Sequence, residues 1–143
     1  MIAGTSMGAL VGASYAQGQS IEEIEKLVTT LGTKRLNFLF DPSLPKTGLV
    51  KGRKIEETLK TVMGTTEFHD LKIPFACVAT DVCSDEEVVM DKGAVWEAVR
   101  ASSSIPVVLV VVEWEGRYLV DGALVNLVPT SVVKNWERIL SLR

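Results

Sequence analysis

The sequence predicts an α/β fold built in layers, with helices and strands alternating along the chain. Two segments, residues 74–82 (PFACVATDV) and 107–112 (VVLVVV), are apolar at successive positions, as strands covered on both faces are. Other segments carry apolar residues at helical spacing. A chain with this alternation packs its helices against a central sheet.

The chain opens with a short apolar stretch, residues 1–3, followed by GTSMG at residues 4–8. The spacing Gly4-x-Ser6-x-Gly8 is typical of a nucleophile elbow, a sharp strand-to-helix turn that exposes a serine hydroxyl. We expect a side chain at position 4 or 8 to collide with the neighbouring strand or helix, which glycine avoids. The alternative is an ordinary turn rich in glycine and serine.

Two helices are predicted to follow the elbow. Residues 7–17 (MGALVGASYAQ) lack proline and charge, carry small residues at every fourth position, and precede Gly18, which suits a left-handed helix stop. Ser20 and Glu23 form a capping box for a second helix, which is predicted to end at Gly32.

Residues 33–48 (TKRLNFLFDPSLPKTG) contain two prolines and are predicted to form a loop. Its aromatic knot at residues 38–40 follows Lys34 and Arg35. One interpretation is contact with a lipid surface, where basic groups meet headgroups and aromatic rings enter the acyl layer. The other, favoured interpretation is a small satellite core beneath the loop.

The rest of the chain continues the alternation. Helices are predicted over residues 53–63 (ended by Gly64), 94–102 and 129–136. Shorter strands are predicted over residues 86–90, 118–120 and 138–142, with a hairpin turn at residues 114–117. The segment 107–112 is a buried strand or, if exposed, an aggregation-prone one.

Composition limits the classes of protein. The 143 residues are 47% hydrophobic and 23% charged, which predicts one globular domain over residues 1–143. A net charge of −3 without a basic stripe argues against a nucleic-acid partner. Polar side chains interrupt the uncharged stretch at residues 1–21, and no basic residue precedes it, so we expect neither a signal peptide nor a membrane helix.

The two cysteines, Cys77 and Cys83, are predicted to be free. Six residues of extended chain would separate them by about 20 Å, which is beyond disulfide reach. With His69 the only histidine, we expect no metal site, and the favoured interpretation is that both cysteines are small buried apolar side chains. Free thiols suit a reducing compartment, so we expect a cytoplasmic protein.

A serine nucleophile requires a base, and two side chains are candidates. Asp121 follows an apolar strand and precedes Gly122, at a strand's carboxyl end, where open α/β sheets place their chemistry. The alternative role for Asp121 is that of an ordinary Asp-Gly turn. His69 lies in a polar segment that precedes a predicted strand, and no glycine or strand end there would direct its side chain toward Ser6. His69 is therefore the weaker candidate.

Four motifs in order give the sequence a resemblance to the patatin-like phospholipases, in particular to their compact bacterial members. The motifs are the elbow at residues 4–8, VATD at 78–81, VRASSSIP at 99–106 and Asp-Gly-Ala at 121–123. The resemblance implies a three-layer α/β/α sandwich with a mostly parallel central sheet. It also implies a catalytic dyad of Ser6 and Asp121, and hydrolysis of acyl esters in phospholipids and neutral lipids without a metal or other cofactor.

In the expected reaction, Asp121 takes the Ser6 proton as Ser6 attacks the ester, and an acyl-enzyme forms. The Met7 backbone amide, at the start of the helix, is the oxyanion donor that the elbow itself supplies. Three glycines are expected to support the elbow and the Asp-Gly-Ala motif: Gly4, Gly8 and Gly122.

The sequence departs from the family pattern upstream of the elbow, where the family has a glycine-rich loop with further oxyanion donors. We therefore expect a partial domain that lacks the first strand or strands and has a shortened carboxyl end. Its open sheet edge predicts a homo-oligomer. Two functions stay open: a serine esterase or phospholipase with transient membrane-surface contact, and a catalytically impaired fragment or pseudoenzyme that acts as an assembly or binding module.

Overall fold

The computed structural model describes residues 1–40, 48–104 and 111–141 of the chain. Its helices are α1 (Met7–Gln17), α2 (Ile21–Phe40), α3 (Gly48–Met63), α4 (Val95–Ser102) and α5 (Thr130–Leu140). Its strands are β1 (Ile2–Thr5), β2 (Phe75–Asp81), β3 (Glu87–Met90), β4 (Val112–Trp114) and β5 (Arg117–Asp121). None of the helices within these ranges combines the length and apolarity needed to cross a membrane.

The described strands form one mixed sheet. β1 pairs with β2 in parallel, whereas β3 and β5 pair with β2, and β4 with β5, in antiparallel fashion. The α/β class is confirmed, although the described sheet is mixed rather than mostly parallel. For the pairs β2–β3 and β4–β5 the cause is local, because a short connection joins the two strands of each pair, and hairpin connections of this kind join antiparallel strands.

The register shows which strands share an edge of β2. Cys77 and Val78 pair with both β1 and β3, and Ala79 and Thr80 pair with both β3 and β5. Because a strand residue has one neighbour on each side, β3 lies along one edge of β2. β1 and β5 therefore occupy the opposite edge, one after the other.

Helices cover both faces of the sheet. Phe75 and Cys77 of β2 lie in a core with residues of α1, α3 and α4, whereas Ala76 and Val78 pack with Val132 of α5 on the other face. This alternation follows the two-residue period of a strand. The described residues therefore form three layers, as the resemblance implies.

The predicted start of α2 and end of α1 are confirmed. Gly18 adopts the left-handed conformation at φ 98°, and its amide donates to the Tyr15 carbonyl. The Ser20 amide donates to the Glu23 carboxylate at 2.8 Å, and the Glu23 amide donates to the Ser20 hydroxyl at 3.2 Å. This capping box satisfies two amides that have no partner within the helix.

The predicted end of α2 and the part of the predicted loop over residues 33–40 are wrong, because the helix continues through Gly32 to Phe40. Glycine ends a helix when it adopts the left-handed conformation, and Gly32 does not. The Thr33 hydroxyl instead donates to the Thr29 carbonyl at 2.8 Å, one turn earlier in the same helix. Residues 41–47, with the two prolines, lie outside the described residues, as do the side chains of the aromatic knot.

The later elements agree with the sequence except at the start of α3, which begins at Gly48 rather than at residue 53, and at the carboxyl end. The strands at β2 and β3, helix α4 and the hairpin between β4 and β5 are confirmed, and α3 ends before Gly64 as predicted. The predicted strand over residues 138–142 is wrong, because α5 extends to Leu140 and the Ser141 amide still donates to the Glu137 carbonyl at 3.0 Å. Most of the predicted strand at 107–112 lies outside the described residues.

Candidate active site

β1 and β5 run toward each other along one edge of β2, and their last residues pair with adjacent residues of β2. Thr5, the last residue of β1, pairs with Val78, and Asp121, the last residue of β5, pairs with Ala79. The residue that follows β1 is Ser6. The strand register alone therefore brings Ser6 next to Asp121, although 115 positions separate them in sequence.

The chain turns sharply at Ser6. This residue has φ 55° and ψ −120°, a backbone conformation that non-glycine residues rarely adopt, and α1 begins at the next residue. The Ser6 carbonyl accepts the Ala9 amide at 3.0 Å and the Leu10 amide at 3.2 Å. The turn therefore has the geometry of a nucleophile elbow, as the glycine spacing predicts.

The two elbow glycines differ in their surroundings. A Cβ built on Gly4 would stand 2.7 Å from the Ala9 nitrogen, so position 4 has no room for a side chain. Gly8 is exposed, and a Cβ there would meet no described atom within 4 Å. The collision predicted at Gly8 is wrong, because the first turn of α1 carries this position toward solvent.

The Ser6 hydroxyl donates a hydrogen bond to Asp121 Oδ2 at 2.7 Å. Asp121 is 5% exposed, and its other carboxylate oxygen, Oδ1, accepts the Ala123 amide at 2.9 Å. One oxygen of a buried carboxylate is thus held by the main chain, and the other faces the serine. This arrangement suits proton transfer between the two side chains.

The main chain of Asp121 is also held on both sides. Its amide donates to the Ser104 carbonyl at 2.7 Å, and its carbonyl accepts the buried Thr80 hydroxyl at 2.9 Å. These bonds fix the end of β5 against β2 and against the residues that follow α4. The carboxylate therefore projects from a rigid backbone.

The Met7 amide lies at the first residue of α1, directly after Ser6. It makes no hydrogen bond to any of the described residues. The first amides of a helix have no partner within it and carry the positive end of the helix dipole. A developing negative charge beside Ser6 would find this donor available.

Sequence analysis assigned no role to the individual residues at the end of α4. The buried Ser102 hydroxyl accepts the Ser6 amide at 2.9 Å and donates to the Val78 carbonyl at 2.6 Å. The Ser103 hydroxyl donates to the Ser6 carbonyl at 3.3 Å. The VRASSSIP motif marked this segment by its resemblance to the family, but it did not show what the serines contact, since side-chain bonds to distant backbone groups leave no periodic pattern.

Neither His69 nor the cysteines belong to the group formed by Ser6, Asp121 and the serines at the end of α4. His69 is exposed and contacts Glu67 and Asp70 at 3.2 and 3.3 Å. Both cysteines are free, and Cys77 is buried in β2 as predicted. Cys83 is exposed, contrary to the prediction, because β2 has already ended at Asp81.

Comparison with known proteins gives consistent matches. The family model described as patatin-like phospholipase matches residues 1–134. An NTE family protein of Mycobacterium tuberculosis is 33% identical over 132 residues, which is 92% of this chain. The neuropathy target esterase sws of Drosophila melanogaster and the lysophospholipase NTE1 of Candida albicans are each 28% identical over 94% of this chain.

These relatives are longer proteins. The chain spans 36% of the length of the mycobacterial protein and 10% of the length of each of the other two. Each relative nevertheless matches nearly all of this chain. The residues matched by the family model include both Ser6 and Asp121.

Proposed function

This chain belongs to the patatin-like phospholipase family, a family of lipid hydrolases, and on that premise we propose that it hydrolyses lipid acyl esters with a dyad of Ser6 and Asp121. Ser6 is the nucleophile and Asp121 the general base. The observation that carries this proposal is the 2.7 Å hydrogen bond from the Ser6 hydroxyl to the Asp121 carboxylate at a strained elbow. Nucleophile and base within hydrogen-bond distance are the signature of covalent catalysis.

The first half-reaction acylates Ser6. Its oxygen attacks the ester carbonyl carbon while its proton passes to Asp121 Oδ2, and the carbonyl electron pair moves onto oxygen. Collapse of the tetrahedral intermediate breaks the bond to the alcohol oxygen, which takes the proton from Asp121. An acyl ester on Ser6 remains.

The second half-reaction releases the fatty acid. A water molecule gives a proton to Asp121 as its oxygen attacks the acyl carbon. The intermediate collapses with cleavage of the bond to Ser6, whose oxygen regains the proton. The Ala123 amide holds the second carboxylate oxygen throughout, which keeps Oδ2 directed at the reacting atoms.

The oxyanion of each intermediate needs preorganised donors, and the Met7 amide is the one we assign. It follows the nucleophile directly, makes no bond to a described residue and lies at the positive end of α1. Oxyanion donors of this kind each contribute about 3 to 4 kcal/mol to the transition state.

We propose a lipid substrate presented at a membrane surface, with transient contact. The segment that follows the aspartate exposes large apolar side chains, with Leu124 63%, Leu127 67% and Val128 68% exposed. These side chains suit contact with the acyl layer or with an acyl chain close to Ser6. The lysophospholipase name of one relative is compatible with this substrate class.

We also propose that the chain forms a homo-oligomer. Among the described strands, β1 pairs only with β2, and β4 only with β5, so each presents an edge. Exposed edges favour pairing with another chain. Sedimentation at micromolar concentration tests this proposal, and a monomer would contradict it.

The test of the activity is labelling by a fluorophosphonate together with turnover of short and long p-nitrophenyl esters. We expect labelling and turnover in the wild type and in Ser14→Ala, and neither in Ser6→Ala. Ser14 is a matched control because it is a buried serine whose hydroxyl has no partner among the described residues. Turnover that survives in Ser6→Ala would overturn the dyad, and a folded wild type without labelling would favour the assembly or binding module.

A further inference from the structure

We propose that Ser102 is a positioning residue that holds the elbow in its reactive conformation. This inference rests on the proposed function of Ser6. The Ser102 hydroxyl bridges the elbow and β2 at the point where the chain leaves the sheet. It accepts the Ser6 amide at 2.9 Å and donates to the Val78 carbonyl at 2.6 Å.

This bridge uses both hydrogen-bonding functions of one hydroxyl. Ser102 is 0% exposed, so water does not compete for either bond. Without the hydroxyl, the Ser6 amide and the Val78 carbonyl would each lose a partner. A buried polar group without a partner favours any rearrangement that restores one.

The strained backbone at Ser6 favours rearrangement of the elbow. Ser6 holds φ 55° and ψ −120°, a conformation that persists only where the surroundings enforce it. The bond from its amide to Ser102 acts on the strained residue itself. Loss of that bond should therefore let the Ser6 backbone relax and turn its hydroxyl away from Asp121.

The residues after Ser102 extend the same support to both members of the dyad. The Ser103 hydroxyl donates to the Ser6 carbonyl at 3.3 Å, and the Ser104 carbonyl accepts the Asp121 amide at 2.7 Å. The end of α4 thus contacts the main chain of nucleophile and base. Ser102 carries the strongest case, because it makes two short bonds and is fully buried.

The test compares Ser102→Ala with Ser14→Ala, a second buried serine in the same chain. Three measurements are needed: kcat and KM on a p-nitrophenyl ester, the rate of fluorophosphonate labelling, and a crystal structure of each variant. For Ser102→Ala we expect kcat and labelling to fall about 10- to 100-fold, with KM nearly unchanged. We also expect the separation of Ser6 Oγ from Asp121 Oδ2 to exceed hydrogen-bond distance. Ser14→Ala should match the wild type in all three.

A Ser102→Ala variant that keeps the Ser6 torsions, the contact with Asp121 and the wild-type labelling rate would overturn the inference. If Ser102→Ala does not fold, Ser102→Cys, which has a similar volume and a weaker hydrogen-bonding group, takes its place in the same measurements. A wild type that neither labels nor turns over would overturn the proposed function instead. The crystal structures would still decide whether Ser102 holds Ser6 in place.

Discussion

The Cα of Gly122 lies against the carbonyl group of Val78, so that a Cβ built on Gly122 would stand 2.6 Å from the Val78 carbonyl carbon. The same Val78 carbonyl accepts the Ser102 hydroxyl. Gly122 also follows Asp121 directly, so the residue after the base packs on β2 at Val78, which pairs with Thr5 at the end of β1. Glycine is needed at this position because of the close approach of two backbones.

We expect Gly122→Ala to destabilise the protein by about 1 to 3 kcal/mol, because a backbone carbonyl cannot move aside as a flexible side chain can. The displacement should also reach Asp121 and slow fluorophosphonate labelling of Ser6. Urea unfolding and the labelling rate measure the two effects.

Gly8→Ala is the matched control for this substitution. Gly8 lies in α1, is exposed, and has no described atom within 4 Å of a Cβ. Alanine favours a helix over glycine, so we expect unchanged or slightly higher stability, by up to about 1 kcal/mol. Equal losses in Gly8→Ala and Gly122→Ala would show that the backbone contact at Gly122 is not the cause.

Only one of the two thiols should react in the native protein. Burial raises the pKa of the Cys77 thiol far above its usual range, which suppresses the reactive thiolate, whereas Cys83 is exposed. Titration with Ellman's reagent should give one fast thiol per native chain and two in denaturant. Cys83→Ser should abolish the fast phase. Two fast thiols in the native wild type would contradict the burial of Cys77.

Glu56 links α3 to α4 and should make stability depend on pH. Its carboxylate contacts Lys60 at 2.6 Å and Arg100 at 3.2 Å, and the hydrogen bond from Lys60 is the main reason that its pKa is lowered from 4.5. A lowered pKa in the folded state stabilises the protein above the unfolded-state pKa, and this contribution disappears as pH falls through the folded-state value.

We expect Glu56→Gln to lower the free energy of unfolding at pH 7 by about 0.5 to 1 kcal/mol, since the ion pairs are partly exposed. The difference from the wild type should be smaller at pH 3, because the Glu56 carboxylate is increasingly protonated as pH falls. Glu57→Gln removes the same charge from the exposed neighbouring position in α3 and serves as the control. Urea unfolding at both pH values measures the effect, and a difference that grows on acidification would contradict it.

The sequence predicted the fold best where interactions between neighbouring residues decide the local structure. The capping box at Ser20 and the left-handed glycine at position 18 depend on neighbouring residues alone, and both are present. Gly32 showed the limit of such rules, because glycine permits a helix end without requiring one. Helix α2 continues through it as far as Phe40.

The candidate site was only partly accessible from sequence. The glycine spacing and the Asp-Gly pair marked Ser6 and Asp121 because each motif is contiguous in the chain. The support from Ser102 depends on a bond across 96 positions, and the meeting of β1 with β5 depends on the register of β2. Single-sequence periodicity carries no information on either relationship, since both arise only when distant segments pack.

Two buried aspartates, at the ends of β2 and β5, offer a test that separates catalysis from stability. Asp121 is 5% exposed and faces Ser6, whereas Asp81 is 6% exposed and accepts the Cys83 amide at 2.9 Å and the Arg117 guanidinium at 3.3 Å. Each is the last residue of its strand, Asp81 of β2 and Asp121 of β5. Only Asp121 contacts the proposed nucleophile.

Asparagine keeps the shape of the side chain and can still accept the main-chain amide that each aspartate binds, but it is a far weaker base. We therefore expect Asp121→Asn to fold and to lose ester turnover by about 100-fold or more, because general-base catalysis contributes about that much. Asp81→Asn should keep most of the turnover and lose about 0.5 to 1.5 kcal/mol of stability with its bond to Arg117, which is itself partly exposed. Turnover per folded molecule, corrected by urea unfolding of each variant, distinguishes the two effects. Equal activity losses in the two variants would mean that charge removal near β2, rather than the base at Asp121, limits the reaction.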